Sequence, residues 1–331
     1  MKPLVSIITP IYNAAPYLQE TLDSIMGSTY RPIEIVMIDD GSKDDSLSIA
    51  QEYCLQHPEC TVIAQANQGV SVARNNAIRN AKGTYILPVD ADDKIAPTFI
   101  EKAVDVFENH ADVRIVGCRC WMFGAVDKEW ELPPFSHALL ARKNMIPATA
   151  LYRKSDWELC GGYCEQEIYR EDWDFWLSMM ELGGTFYKID EILFYYRISM
   201  GSRRVLAKGR KKVIIDAINR RHPEYLKKHL GGPLHYHRSW SRFINFFRYE
   251  KSIGNYSDWE DGVIIYAKRN TLRRHNGFIS KQFATPSWWR GIIYGWFCPS
   301  KAQRSYAYAQ SLDTLTPKRI AYREVSYCGI L

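Results

Sequence analysis

Four short runs of apolar, largely β-branched residues constrain this chain most: Val5–Thr9, Ile33–Ile38, Thr61–Ala64 and Thr84–Val89. Each run is nearly continuous rather than alternating, the pattern of strands covered on both faces. Helix-compatible stretches lie between them at Tyr17–Met26, Asp44–His57 and Val70–Ala81, with Ser42 or Asp44 able to cap the second. Strand–helix alternation builds βαβ units, which predicts an α/β fold around a mainly parallel central sheet. A helix at Thr98–Glu108 and a strand at Val113–Cys118 continue the pattern, which loosens from Trp121 to Arg142. Ala148–Tyr152, a helix over Tyr169–Leu182 and strands at Thr185–Ile189 and Ile192–Arg197 restore it. A basic helix is expected around Val205–Leu230, closed by Gly231-Gly232-Pro233. That triplet divides a main domain, 1–232, from a small basic, aromatic-rich C-terminal extension, 233–331.

Composition removes several classes. Of 331 residues, 46 % are hydrophobic and 24 % charged, the balance of a globular chain rather than a disordered one. No uncharged apolar run reaches the roughly 20 residues that a bilayer span needs, and the run after Pro3 is too short for the core of a signal peptide. Eight cysteines without a C-x-x-C pair are expected to stay reduced, which points to the cytoplasm. Charge is unevenly spread: residues 1–197 carry 18 basic against 29 acidic side chains, and residues 198–331 carry 25 against 8. A basic C-terminal third suggests an anionic partner: nucleic acid, a lipid headgroup or a phosphorylated glycan. No nucleic-acid recognition motif supports the first. Aromatics with basic neighbours at Trp288-Trp289-Arg290 and Trp296-Phe297 suit peripheral contact with the inner face of the cell membrane, or packing against the main domain.

In an open parallel sheet, ligands bind at the carboxyl ends of the strands. There this chain sets Pro10, Tyr12 and Asn13, then Asp39 and Asp40, then Asn67-Gln68-Gly69 with Arg74 shortly after, then Asp90 and Asp92-Asp93. One such Asp is commonly a cap or turn residue; a polar set at four successive strand ends is harder to explain so. Asp90 and Asp92, two apart in an extended segment, would face one spot and suit Mn²⁺ or Mg²⁺ bridging a nucleotide diphosphate. Arg74 would pair with phosphate or base, and Tyr12 would pack on a base. A second acidic group, Glu171-Asp172-Trp173-Asp174-Phe175-Trp176, reads either as a helix with acidic caps and aromatic core positions or as a general base with an aromatic sugar platform.

Taken in order, Val5–Asn13, Ile38-Asp-Asp-Gly-Ser42, Asn67-Gln-Gly69 with Ala73-Arg-Asn75, Gly83–Ile86, Asp90-Ala-Asp-Asp93 and Gly161-Gly-Tyr163 before Glu171-Asp172 resemble the successive motifs of family 2 glycosyltransferases over roughly residues 3–200. The resemblance implies a GT-A nucleotide-sugar-binding fold and an inverting, metal-dependent transfer from a nucleotide diphosphate donor, in the first reading a UDP-sugar. The acceptor would be a hydroxyl of a surface polysaccharide or lipid-linked glycan. It implies Pro10, Tyr12, Asn13, Asp39, Asp40 and Arg74 around the nucleoside, Asp90 at the ribose or metal, Asp92 on the metal, Asp172 as base and Glu171 positioning the acceptor. Tyr195 through Ser202 resembles the family's closing loop without a histidine often found there. Residues 270–331 resemble the opening of a lipopolysaccharide-kinase-like domain, with Lys281 at the phosphate-pairing position and the later catalytic acids absent. The alternatives are a non-catalytic nucleotide-sugar or glycan-binding protein, or a fusion retaining a lipopolysaccharide-kinase-related role.

Overall fold

A computed structural model describes residues 2–166, 170–198 and 211–234, all but the last two of which belong to a unit ending at Gly232. Strands β1 (Val5–Ile11), β2 (Ile33–Asp39), β3 (Cys60–Ala64) and β4 (Tyr85–Pro88) pair in parallel in the order β3-β2-β1-β4. Helices α1 (Leu18–Met26), α2 (Ser46–Gln56) and α3 (Val70–Asn80) make the crossovers between them. In α1, Leu18, Leu22 and Ile25 recur at helical spacing and are fully buried, packing in one core with Val5, Ile7 and Ile35 of the strands. The strand order reverses between β1 and β4, which creates the crevice where an open α/β sheet binds its ligands.

Beyond β4 the sheet becomes mixed. The described sheet continues through β8 (Leu151–Arg153), β6 (Val113–Gly124) and β9 (Thr185–Ile198) to the short β5 (Lys94–Ile95), with β7 (Lys128–Trp130) on the side of β6. Strand β8 runs antiparallel to both β4 and β6, whereas β6 and β9 pair in parallel through three register shifts. Helix α4 (Phe99–Asn109) buries Phe99, Ile100, Ala103, Val104 and Phe107. The sheet is thus parallel through its first four strands and mixed afterwards. The two strands expected at 185–197 are one bulged strand, and the loosened stretch contains β7 and the short α5 (His137–Arg142).

Helices α6 (Lys154–Cys160) and α7 (Glu171–Glu181) precede β9. The basic helix expected over 205–230 is two helices where it is described, α8 (Lys211–Arg221) and α9 (Pro223–Leu230), because Pro223 cannot donate a helical hydrogen bond and restarts the helix at its first turn. Residues 199–210 and 235–331 lie outside the described residues, and with them fall the closing-loop positions after 198, the kinase-like resemblance and the aromatic–basic segment. Among the described residues no helix is long and apolar enough to cross a membrane.

Candidate active site

The end of β1 carries the first group of expected residues. Pro10 is half-buried, Tyr12 is 52 % exposed, and Asn13 adopts a left-handed φ of 51° that few residues other than glycine tolerate. Its own bonds hold that conformation: the Asn13 N–H donates to Ser42 Oγ at 3.1 Å, and Asn13 Oδ1 accepts from the Lys43 N–H at 2.7 Å. The loops after β1 and β2 are thereby fastened to each other, and Tyr12 is left presented to solvent.

Asp39 and Asp40 are both buried but differ in what they can offer. Asp40 is occupied internally, accepting from the Gln68 and Gly69 N–H groups and from Gln65 Nε2, each at 2.8 Å. It shapes the entry to α3. Asp39 Oδ2 accepts from the Ser42 N–H at 3.2 Å, while its buried Oδ1 has no partner among the described residues. A buried acceptor without a donor is costly, and a ligand N–H would satisfy it.

Asp90 through Asp93 do not form the extended segment expected. They make a tight turn closed by the Asp93 N–H donating to Asp90 O at 3.0 Å, because β5 must leave in a new direction to pair with β9. Asp93 is buried and accepts from the Arg197 N–H at 2.8 Å, tying the turn to the end of β9. Burial, with Asp92 and Asp90 nearby, raises the Asp93 carboxyl well above the usual range. Asp92 is pushed up to about 6, by burial first and then by the charge of Asp90. Asp92, with the charge of Asp90 beside it, could form with that residue an oxygen-rich donor pair for a hard divalent cation. Among the described residues no three His, Cys, Asp or Glu side chains stand together as a metal group. Asp90 and Asp92 would therefore supply two oxygens and leave the remaining positions to phosphate and water, the usual preference of Mg²⁺.

Arg74 joins this turn to the acidic helix. It is 2 % exposed; Nη2 donates to Asp90 Oδ1 at 2.6 Å and Nη1 to Glu171 Oε1 at 3.1 Å, with the guanidinium over the Tyr163 ring. Burial works against its charge, but Asp90, Tyr163 and Glu171 more than offset that and hold it firmly protonated. The next residue, Asn75, is a second hub: Nδ2 donates to Tyr163 O and Glu165 Oε1, and Oδ1 accepts from the Trp157 indole and the Tyr163 N–H. Gly162 passes so close that a Cβ there would lie 2.9 Å from Asn75 Oδ1, and its φ of +75° also favours glycine. The Gly-Gly-Tyr segment and the Ala-Arg-Asn segment are therefore one assembly.

At the start of α7, Asp172 Oδ1 accepts from the Trp173 N–H at 2.9 Å and Oδ2 from Asn144 Nδ2 at 2.5 Å. Its carboxyl is raised to about 6, by burial first and then by Glu171, against the pull of Arg170 and Arg74. The sugar-platform reading of this helix fails. Trp173, Phe175 and Trp176 are buried in the core, the Trp173 indole donating to Leu140 O at 2.6 Å. Asp174 is also fully buried, paired with Arg221 at 2.7 Å and His222 at 3.1 Å. Asn144 and His222 escaped the sequence reading and carried no signal in it; Asn75 and Arg197 stand in quoted motifs, though without the bonds seen here.

Known proteins resemble the chain on this same frame. It is 33 % identical over 214 residues to the uncharacterized glycosyltransferase EpsJ of Bacillus subtilis, covering 60 % of this chain and 62 % of that protein. It is 30 % identical over 213 residues to the chondroitin synthase of Escherichia coli, covering 62 % of this chain and 30 % of that one. The chain thus spans less than two thirds of either relative. The mannosyltransferase PcManGT from Pyrobaculum calidifontis, solved in complex with GDP-Man and Mn²⁺, superposes with a TM-score of 0.58 at 17 % identity over 95 % of this chain and 87 % of that one, which identifies the fold as GT-A. The model of glycosyl transferase family 2 matches residues 6–175, just over half of the sequence, and the chain belongs to that family.

Proposed function

We propose that the chain is an inverting, metal-dependent glycosyltransferase. It would move a sugar from a nucleoside diphosphate donor to a hydroxyl of a surface polysaccharide or lipid-linked glycan. The observation that carries this reading is the Arg74 bridge. One buried cation holds Asp90, at the donor edge of the sheet, and Glu171, the neighbour of Asp172, within a single ion-paired assembly. A donor side and a proton-accepting side are thereby fixed relative to each other, as an in-line displacement requires. The similarity to a chondroitin synthase and to a mannosyltransferase solved with GDP-Man and Mn²⁺ supports the acceptor class, the donor class and the cation.

In this reading Tyr12 covers the base, and the free Asp39 Oδ1 accepts an N–H from it, a group that uracil and guanine both provide. Pro10 and Asn13 complete that wall, with Asp40 shaping the loop behind it. Asp90 and Asp92 would hold the cation, which when bound would supply Lewis-acid stabilisation to the departing diphosphate. The acceptor oxygen forms its bond to the anomeric carbon from the face opposite the diphosphate. The bond from that carbon to the phosphate oxygen breaks with its electron pair going to the leaving group, and the hydroxyl proton passes to Asp172. A carboxyl raised to about 6 is largely ionised at neutral pH and is a stronger base than an ordinary aspartate.

The test is release of nucleoside diphosphate from a panel of UDP- and GDP-sugars with Mn²⁺ or Mg²⁺, with and without an acceptor glycan. Turnover of one donor, abolished by chelator and lowered about a hundredfold or more in Asp172→Asn, is the expected result. Turnover that survives chelation overturns the metal assignment. Full transfer by Asp172→Asn overturns the base. Donor binding without hydrolysis or transfer would favour a binding protein.

A further inference from the structure

Asn144 lies in the segment between α5 and β8, outside every motif quoted above, yet it makes the shortest side-chain bond to Asp172. The orientation of its amide is fixed. Asn144 Oδ1 accepts from the Ile146 N–H at 3.2 Å, and since a backbone N–H can only donate, the NH₂ end must face Asp172 Oδ2. The other Asp172 oxygen is bonded to the Trp173 N–H. Each carboxylate oxygen accepts about two hydrogen bonds, so the two donors fix the plane and rotamer of the carboxylate and leave a second site on each oxygen without a partner among the described residues. The charged groups acting on this carboxylate are Glu171, against its ionisation, and Arg170 and Arg74, in favour. Glu171 stands on α7, Arg170 just before it and Arg74 on α3; Asn144 is a neutral donor that reaches the carboxylate from the α5–β8 segment.

We infer that Asn144 is a positioning residue for transfer: its amide holds Asp172 in the one rotamer that presents a free lone pair to the acceptor hydroxyl, and stabilises the anion that accepts the proton. The inference rests on Asp172 being the base. Because Asn144 donates and cannot ionise, it favours the charged form of Asp172 at every pH. That effect separates its role from simple support of the loop.

The experiment is carbon NMR titration of the full chain with carboxyl-labelled aspartate, the Asp172 signal being identified by its loss in Asp172→Asn. Asn144→Leu, close in size and without a donor, is expected to raise the Asp172 midpoint by about one pH unit. Asn144→Asp, which sets a second carboxylate against it, raises it further and serves should the leucine variant fold poorly. With the donor selected by the panel above, the acidic limb of kcat moves to higher pH by the same interval. That is a loss of roughly fivefold near pH 6, as the ionised fraction falls from about half to about a tenth, with KM for the donor unchanged. A midpoint unmoved in both variants overturns the inference, whatever their activity. Full transfer by Asp172→Asn removes the base reading instead, and with it the catalytic meaning of any shift.

Discussion

Residues 5–95 and residues 113–198 of the same sheet are held together by different physics. In the first region parallel strands end in loops where two carboxylates are held by nearby backbone N–H groups, Asp40 at Gln68 and Gly69, Asp44 at Ala15 and Ser46. In the second, antiparallel joins and a bulged strand pair are braced by ion pairs between side chains: Arg114–Asp156, Arg119–Glu129 and, from α7 to α8 and the residue after it, Asp174 with Arg221 and His222. Backbone donors cannot be mutated away and do not titrate, whereas ion pairs are lost with a single side chain and respond to pH. The loops of the first region are thus fixed by backbone donors, and the bracing of the second responds to pH.

The largest expected effect comes from breaking the buried ion-pair bridge between the two. Arg74→Met leaves Asp90 and Glu171 without their shared cation, and losing one partner of a buried ion pair costs about 3–5 kcal/mol. Thermal unfolding should show that loss, and a variant as stable as the parent would mean that the bridge adds nothing to the strand pairings that also join the two regions. Next comes Gly83→Ala in the parallel region. There a Cβ would meet the Ser6 hydroxyl and stand only 2.7 Å from Ser6 N and 2.8 Å from Leu4 O, so β1 and the turn before β4 must separate. Overpacking of this kind costs roughly 1–3 kcal/mol, independent of pH between 5 and 9; a pH-dependent loss would contradict the picture of a non-titrating platform.

A smaller and pH-dependent effect is expected at His222. Its ring nitrogens face Asp174 at 3.1 Å and Glu181 at 3.0 Å, so both must carry protons to donate. Burial opposes that charge, but the bonds to Asp174 and Glu181 outweigh it and the pKa is raised above the ordinary 6.5. A group raised on folding contributes fully below its unfolded pKa and loses that contribution as pH rises through the folded value. His222→Gln should therefore cost about 1–2 kcal/mol near pH 6 and progressively less toward pH 9 in urea melts. A difference that grows with pH would break the assignment. Smallest of all, Leu55→Gln on α2, where Leu55 is 88 % exposed, should change stability by no more than about 0.5 kcal/mol, and a larger cost would point to a partner at that position.

The two regions were also unequally legible. The four parallel strands and three crossovers stood in the sequence because continuous β-branched runs have few other ways to be buried. The strand-end residues followed from the rule that a parallel sheet presents its ligands there. The later region was read less well: two strands proved to be one, a helix proved to be two, and aromatics offered as a sugar platform proved to be core. Its strands pair across long separations, so no local period announces register or bulge. The Asp90–Asp93 turn was missed for a related reason, since only the pairing of β5 with β9 forces the chain to bend there.

What the sequence determined by itself is the part fixed by local pattern and motif order: the α/β class, the ligand-binding edge and the family. What only tertiary structure decided is how each polar residue spends its hydrogen bonds. Asp39 and Asp40 are neighbours of one type, yet one keeps a free buried oxygen and the other is fully occupied by the turn into α3. Arg74 reaches Glu171 across 97 residues, Asn144 reaches Asp172 across 28, and His222 reaches Asp174 across 48. A hydrogen bond is decided by positions within a few tenths of an ångström, and such positions exist only once the distant segments have packed.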